Sequence, residues 1–369
     1  TGLRTLAAKH FRRQAKRLSE QLDGIRAVED IEFIHRARVA SRRLRAGLRM
    51  FQPCMDPAVH ASWRKQIRRI TASLGGARDA DVQIEFLSRV LSEVNEPSLV
   101  PGLARLLAKL EKERERLQPK VVKALGKLEQ SKVLKEMQAA LDCLRDEKGT
   151  AKGDLDSPVV LQEAERRIHS QLAELLAHEG GLADPCATGE HHAMRIAVKR
   201  LRYTIEIVAP VFRGTLNGIQ KTTKRLQSLL GDLHDCDVWM DRLAEYSQLR
   251  RQQTIDRFGH EGPMSRVKPG LCHLQDARAR DREFLFGELV AFWARLTQAG
   301  TWAELRRLAG SAGAAASDGE TVAETAAPTD GSPFDDLEMC AAGGTRQAGF
   351  EDAQPKPDQL AACLQAEED

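Results

Sequence analysis

His35-Arg36-Ala37-Arg38-Val39-Ala40-Ser41-Arg42-Arg43-Leu44-Arg45 is written a second time, 157 residues downstream, as His192-Ala193-Met194-Arg195-Ile196-Ala197-Val198-Lys199-Arg200-Leu201-Arg202. A further block follows each copy. Leu74-Gly75-Gly76-Ala77-Arg78-Asp79-Ala80-Asp81-Val82 is answered 156 residues on by Leu230-Gly231-Asp232-Leu233-His234-Asp235-Cys236-Asp237-Val238. Two blocks at nearly one offset imply an internal duplication, each half carrying the same cationic apparatus.

At about 100° per residue, positions 35, 38, 42, 45 and 49 fall within a helical wedge about 80° wide. That wedge carries His35, Arg38, Arg42, Arg45 and Arg49, and Ala37, Ala40, Leu44, Leu48 and Phe51 centre on the opposite face. The second copy repeats it with His192, Arg195, Lys199 and Arg202, but Glu206 stands where Arg49 stood. Arg43 and Arg200 point away and are available for salt bridges. A solvated helix face mixes signs to gain pairs of about 0.2–0.5 kcal/mol, whereas this stripe stacks like charges at i+3, i+4 and i+7. Such a surface expects an anion.

A second basic helix follows in each half. Arg64, Lys65, Arg68 and Arg69 lie within residues 63–74, and Lys221, Lys224 and Arg225 match them, with Gln220 in place of Arg64. Both segments are expected to end at glycine, Gly75 or Gly231, acting as a C-cap. Asp79, Asp81, Asp235 and Asp237 would then cap the next helix or orient arginines by pairing.

The pattern His-x-x-Arg-(Val/Ile)-Ala-x-(Arg/Lys)-Arg-Leu-Arg followed by Leu-Gly-x-x-(Arg/His)-Asp-x-Asp-Val, occurring twice, closely resembles the CHAD domain, the conserved histidine α-helical domain, over roughly residues 1–308. The resemblance implies an all-α fold. Two four-helix bundles, at 1–155 and 156–308, would be related by pseudo-two-fold duplication around a central basic cavity. It also implies binding of inorganic polyphosphate, and a non-catalytic binding module is the expected role. Carried over onto this sequence, the binding set is His35, Arg38, Arg42, Arg45, Lys65, Arg68, Arg69 and Arg78, with His192, Arg195, Lys199, Arg202, Lys221, Lys224 and Arg225; Arg49 joins it from the stripe. His234 in place of Arg78 and the intruding Glu206 weaken the second half. The chain opens on Thr1, and family members can follow an N-terminal CYTH-type triphosphatase domain. An accessory module of such an enzyme is therefore an alternative reading.

Composition agrees with helix packing, at 42% hydrophobic but only 5% aromatic residues. The formal charge of +3 averages two unlike parts. Residues 310–369 carry 13 acidic and two basic residues, leaving 54 basic against 40 acidic in the body. That tail, rich in Ala, Gly, Ser, Thr and Pro, is expected to be disordered and to act as a solubilising segment, with competition for a basic cavity as the alternative its charge offers. Seven cysteines without a Cys-x-x-Cys pair suggest free thiols in a reducing compartment. No apolar run approaches the ~18 residues of a membrane span, and the chain reads as cytoplasmic.

Further helices are expected over 3–22, 33–51, 61–74 and 81–94, with a long charged helical region over 103–145 broken near Pro119. A boundary is expected at 148–158, and loops at 180–189 and 259–270. The histidines are expected to contact the anion and to strengthen binding as pH falls through ~6.5. The expected role is attachment to polyphosphate granules or delivery of polyphosphate to a partner or fused enzyme, with no metal or cofactor. A nucleic-acid binder is the competing reading, weakened by the shortage of aromatic side chains for base stacking and the lack of a base-reading motif. A phosphoanhydride-cleaving enzyme is a third, opposed by the absence of a Gly-rich phosphate loop or a nucleophile and base pair.

Overall fold

A computed structural model of the chain describes residues 2–146, 155 and 157–315, and every regular element among them is helical. The helices are α1 (Gly2–Ser19), α2 (Leu22–Ala27), α3 (Ile31–Met50), α4 (Pro57–Glu93), α5 (Val100–Gln130), α6 (Val133–Asp146), α7 (Pro158–Leu176), α8 (Thr188–Val208), α9 (Asn217–Phe258), α10 (Lys268–Gln298) and α11 (Thr301–Ala315). No helix among the described residues is long and apolar enough to cross a membrane.

Local chemistry sets several starts. Asp30, in extended backbone before α3, accepts from the Glu32 amide at 2.9 Å. Asp56 accepts from the amides of Ala58 and Val59, with Pro57 at the first helical position of α4. Lys132, at φ +59°, turns the chain between α5 and α6, so the charged region breaks there and not at Pro119, which α5 carries within it.

The glycines do not end their helices. α4 runs unbroken through Gly75 and Gly76, and α9 through Gly231. Each glycine lowers helix stability by about 1 kcal/mol relative to alanine. The buried stripe Ile67, Ile70, Leu74, Ala77, Ala80 continues across the first site, and Leu226, Leu229, Leu230, Leu233, Cys236 across the second. Burial of each large apolar side chain supplies about 1.5–3 kcal/mol, which overrides the local preference. The aspartates therefore sit mid-helix and cap nothing. Asp81 accepts from Arg114 Nε at 2.5 Å, and Asp237 accepts from Arg282 Nε at the same distance.

The chain divides into two compact units. One comprises Thr1–Val82, Glu111–Gln227 and the chain from Val290; the other comprises Gln83–Leu110 and Ser228–Leu289. The first unit thus holds both histidine-led helices, a division by packing that differs from the division by repetition at residue 155. Its core includes Phe11, packed edge-on against Phe51 and Trp63 with centroids 5.9 and 5.5 Å away. His10 lies buried there against Gly47, its ring bonded to the Arg43 carbonyl at 3.0 Å, and burial holds the imidazole down at about 4. Most of the 148–158 boundary lies outside the described residues, as does the acidic tail from residue 316, whereas 310–315 continue α11 as helix.

The second unit is organised around Leu87, Leu103, Leu106, Leu110, Trp239, Leu243, Leu271 and Leu274. At its tightest crossing, a Cβ on Gly102 would collide with the Val267 carbonyl oxygen, and one on Gly270 with that of Leu99. Gly126, elsewhere in α5, has open space around it. Alanine at Gly102 or Gly270 should therefore destabilise the protein by about 1–3 kcal/mol through overpacking. Alanine at Gly126 should stabilise it by about 0.5–1 kcal/mol. Chemical denaturation of the three variants checks the opposite signs.

Candidate functional site

α3 and α8 pack together in the first unit. Each buries an apolar stripe, with Ala37, Ala40, Leu44 and Leu48 on α3 and Met194, Ala197, Val198 and Leu201 on α8. Burying those stripes leaves the cationic wedges to converge at the rim of the seam. There a cavity of about 740 Å³ opens. α3 lines it with Arg42, Arg45 and Arg49, α8 with Lys199, Arg200 and Tyr203, α4 with His60 and Arg64, and α7 with Arg166 and Arg167. Ile196, Ile207 and Leu48 supply apolar wall.

Carboxylates are present at the margin. Arg166 and Arg167 share Glu163 at 2.8 and 2.6 Å, and Arg200 pairs with Glu174. Arg42 donates through Nε and Nη2 to the Tyr203 hydroxyl at 3.1 and 2.6 Å, a neutral partner. Among the described residues no carboxylate lies within 4.0 Å of Arg45, Arg49, Arg64 or Lys199. The electrostatic result is concentrated on Lys199. Burial first, then the charges of Arg42, Arg195, Arg38 and Arg45, push its ammonium down to about 7 from an ordinary 10.5. Burial and the neighbouring Arg200 and Arg45 likewise lower Arg49.

Of the residues singled out from sequence, Arg42, Arg45, Arg49 and Lys199 line this cavity. Lys65, Arg68 and Arg69 line a smaller concavity on α4, of about 420 Å³, to which Arg64 also contributes. Arg38 lies at the margin, its Nη1 donating to Asp79 at 2.8 Å. Arg195 bears on Lys199 without lining the cavity. Arg202 is drawn aside by Glu206, which accepts from its Nε at 2.7 Å and from Arg43 at 3.4 Å. The intruding glutamate thus neutralises two arginines beside the site.

His35 is half-buried and His192 exposed, and neither lines the cavity. His191 is the buried histidine of α8, bonded to the Gly181 carbonyl at 2.9 Å. Arg78, Lys221, Lys224 and Arg225 line neither concavity. Sequence reasoning missed Arg166, Arg167 and His60 and set Arg64 and Arg200 aside, because the α7 pair lies outside both repeated blocks. The Cys236 thiol is buried, and burial pushes it up to about 11, so it supplies no nucleophile.

An ammonium held down near 7 opposes folding at neutral pH. Between about 7 and 10.5 the unfolded chain binds more protons at Lys199 than the folded one does, so stability should rise with pH across that window. Lys199→Met should raise the melting temperature of the empty protein at neutral pH and flatten that rise. Thermal melts from pH 7 to 10 measure both.

The family described as CHAD domain matches residues 9–244. Two curated relatives, both uncharacterized proteins from strains of Mycobacterium tuberculosis, are 27% identical over 274 residues, or 72% of this chain and 50% of each relative. The chain thus spans about half the length of the curated relatives it matches. Among solved structures, the CHAD domain from the plant Ricinus communis aligns with a TM-score of 0.52 at 21% identity, covering 84% of this chain and 91% of that one. PptA from Streptomyces chartreusis aligns with a TM-score of 0.52 at 19% identity, covering 79% and 98%. Both likenesses are of fold, and the family match at sequence level supports a polyphosphate-related helical domain. With its repeated motifs falling inside a match that spans well over half of its length, this chain belongs to the CHAD domain family.

Proposed function

We propose that the chain binds inorganic polyphosphate in the cavity between α3 and α8 and catalyses no reaction on it. The single observation that carries this reading is the crowd of cations around one concavity, Arg45, Arg49, Arg64 and Lys199, none of which has a carboxylate within 4.0 Å among the described residues. A linear polyanion with a charge on every phosphoryl unit would relieve repulsion that the empty cavity suffers, through charge-assisted hydrogen bonds to the guanidinium forks. A cytoplasmic place, on polyphosphate granules or beside a polyphosphate-metabolising enzyme, fits this role. The extra length of the curated relatives leaves room in them for such a partner as a fused domain.

Titration with long-chain polyphosphate tests the reading. Arg45→Glu/Arg49→Glu should weaken binding by at least about a hundredfold, each lost charge-assisted bond being worth roughly tenfold. Wild-type affinity should fall steeply with salt as counterions are released. Equal binding by the variant removes the cavity from the account, and displacement by RNA as readily as by polyphosphate removes the specificity.

Binding should also carry a proton. A bound anion restores the charge on Lys199, so at about pH 7.5 complex formation should take up roughly 0.5–0.8 proton. Affinity should accordingly decline as pH rises above about 7. Calorimetry in buffers of different ionisation enthalpy measures the uptake, which Lys199→Met should abolish.

A further inference from the structure

Lys199 is half-buried on α8 and lines the larger cavity, so its amine is both crowded and reachable. Arg195 and Tyr203 stand four residues to either side of it on the same helix face. Arg42 and Arg45 line the cavity from α3, and their charges, with those of Arg195 and Arg38, act on the ammonium in addition to burial. Round the same cavity α4 presents His60 and Arg64, and α7 presents Arg166 and Arg167, both engaged with Glu163. Among the described residues no carboxylate lies within 4.0 Å of Lys199.

This setting favours a reaction of the amine at both of its ends. On the reactant side, an amine held at about 7 is roughly three-quarters unprotonated at pH 7.5, against about 0.1% for a lysine at the ordinary 10.5. The unprotonated form is the nucleophile. On the product side, a field that opposes positive charge at Nζ favours negative charge there. Guanidinium groups donate paired N–H bonds to a carboxylate-like anion. Arg42 gives its Nε and Nη2 to the neutral Tyr203 hydroxyl at 3.1 and 2.6 Å, a weaker acceptor than an anion.

We propose that Lys199 is a carbamylation site for carbon dioxide, and that the N-carboxylysine formed there gives the cavity an anion of its own and opposes the entry of polyphosphate. The Nζ lone pair attacks the carbon of CO2, and an N–C bond forms as one C–O π pair moves onto oxygen. One amine proton passes to water, leaving a carbamate, and nothing is oxidised or reduced. Carbon dioxide is small and uncharged, so neither the cationic field nor the half-buried position of the amine opposes its entry. The same arginines that repel the ammonium then hold its carboxylated form. The opposition to polyphosphate rests on the polyanion reading of the cavity; the carbamate itself does not.

The experiment equilibrates the full chain with 13C-labelled CO2 and bicarbonate at pH 7.5 and observes the carbamate carbonyl carbon by NMR. Wild type should show a carbamate resonance that Lys199→Met removes and that Arg45→Gln weakens. Trapping by O-alkylation followed by peptide mass spectrometry should place the added carboxyl group on Lys199. A spectrum with no resonance removable by Lys199→Met overturns the site. In parallel, tripolyphosphate affinity is measured in CO2-free and CO2-equilibrated buffer at equal pH and ionic strength. Wild type should bind about threefold more weakly with CO2 when the carbamate fills about two-thirds of the sites. Lys199→Arg, whose guanidinium forms no carbamate, should bind equally in both buffers. Equal weakening in the two proteins overturns the opposition between carbamate and polyanion. Failure of wild type to bind tripolyphosphate without CO2 overturns the polyanion reading, and the resonance still decides the carbamate.

Discussion

Lys199 concentrates the physical constraint on which this site depends. Burial first, and then four arginines from two helices, act on one ammonium that has no carboxylate within ion-pairing distance among the described residues, and the result is an amine held down to about 7. Nothing local to α8 requires this. It follows from packing: the apolar stripes of α3 and α8 are buried against the core, so the opposite faces have no freedom to turn their charges apart. The hydrophobic gain is spread over many buried side chains, and the repulsion is confined to a few. The fold tolerates a strained centre for that reason.

The carboxylates show the same arrangement from the other side. Glu163, Glu174 and Glu206 each engage arginines near the cavity, and Asp79 holds Arg38. They tether guanidinium groups around the edge while the middle stays uncompensated. A cavity whose cations were all paired would present little field to an approaching anion. One whose cations were all unpaired would add further like-charge repulsion to the folded state. The mixture positions a rim and leaves the centre to a ligand.

An arginine and aspartate contact beyond the repeated glycine lies within each unit. Asp81 with Arg114 and Asp237 with Arg282 are the same arginine and aspartate pair at the same length, placed after the corresponding glycines. Trp63 and Trp293 each donate an indole N–H to a glutamate, Glu136 and Glu179. In the second unit, Gly102 and Gly270 take reciprocal places beside backbone carbonyls, each near the start of its helix. Such positions tolerate little change because backbone and buried charge, unlike an exposed side chain, cannot move aside.

Much was legible in one dimension. The helical class, the repeat, the buried face of α3 and the cationic face opposite it all follow from periodicity, which is a property of neighbouring positions along one helix. Periodicity places Arg42, Arg45 and Arg49 on one face of α3 and Lys199 on one face of α8, whereas their meeting around one cavity was an expectation of the family resemblance. The unbroken passage through Gly75 and Gly231 was not legible, since a glycine announces a helix end and only the continuing buried stripe overrules it. Nor were the recruitment of Arg166 and Arg167 from α7, the diversion of Arg202 to Glu206, and the displacement of His35 and His192 from the cavity. Those were decided by tertiary structure. Charges act through space across helices distant in sequence, so which cation is paired, crowded or turned aside depends on neighbours that no spacing along the chain records.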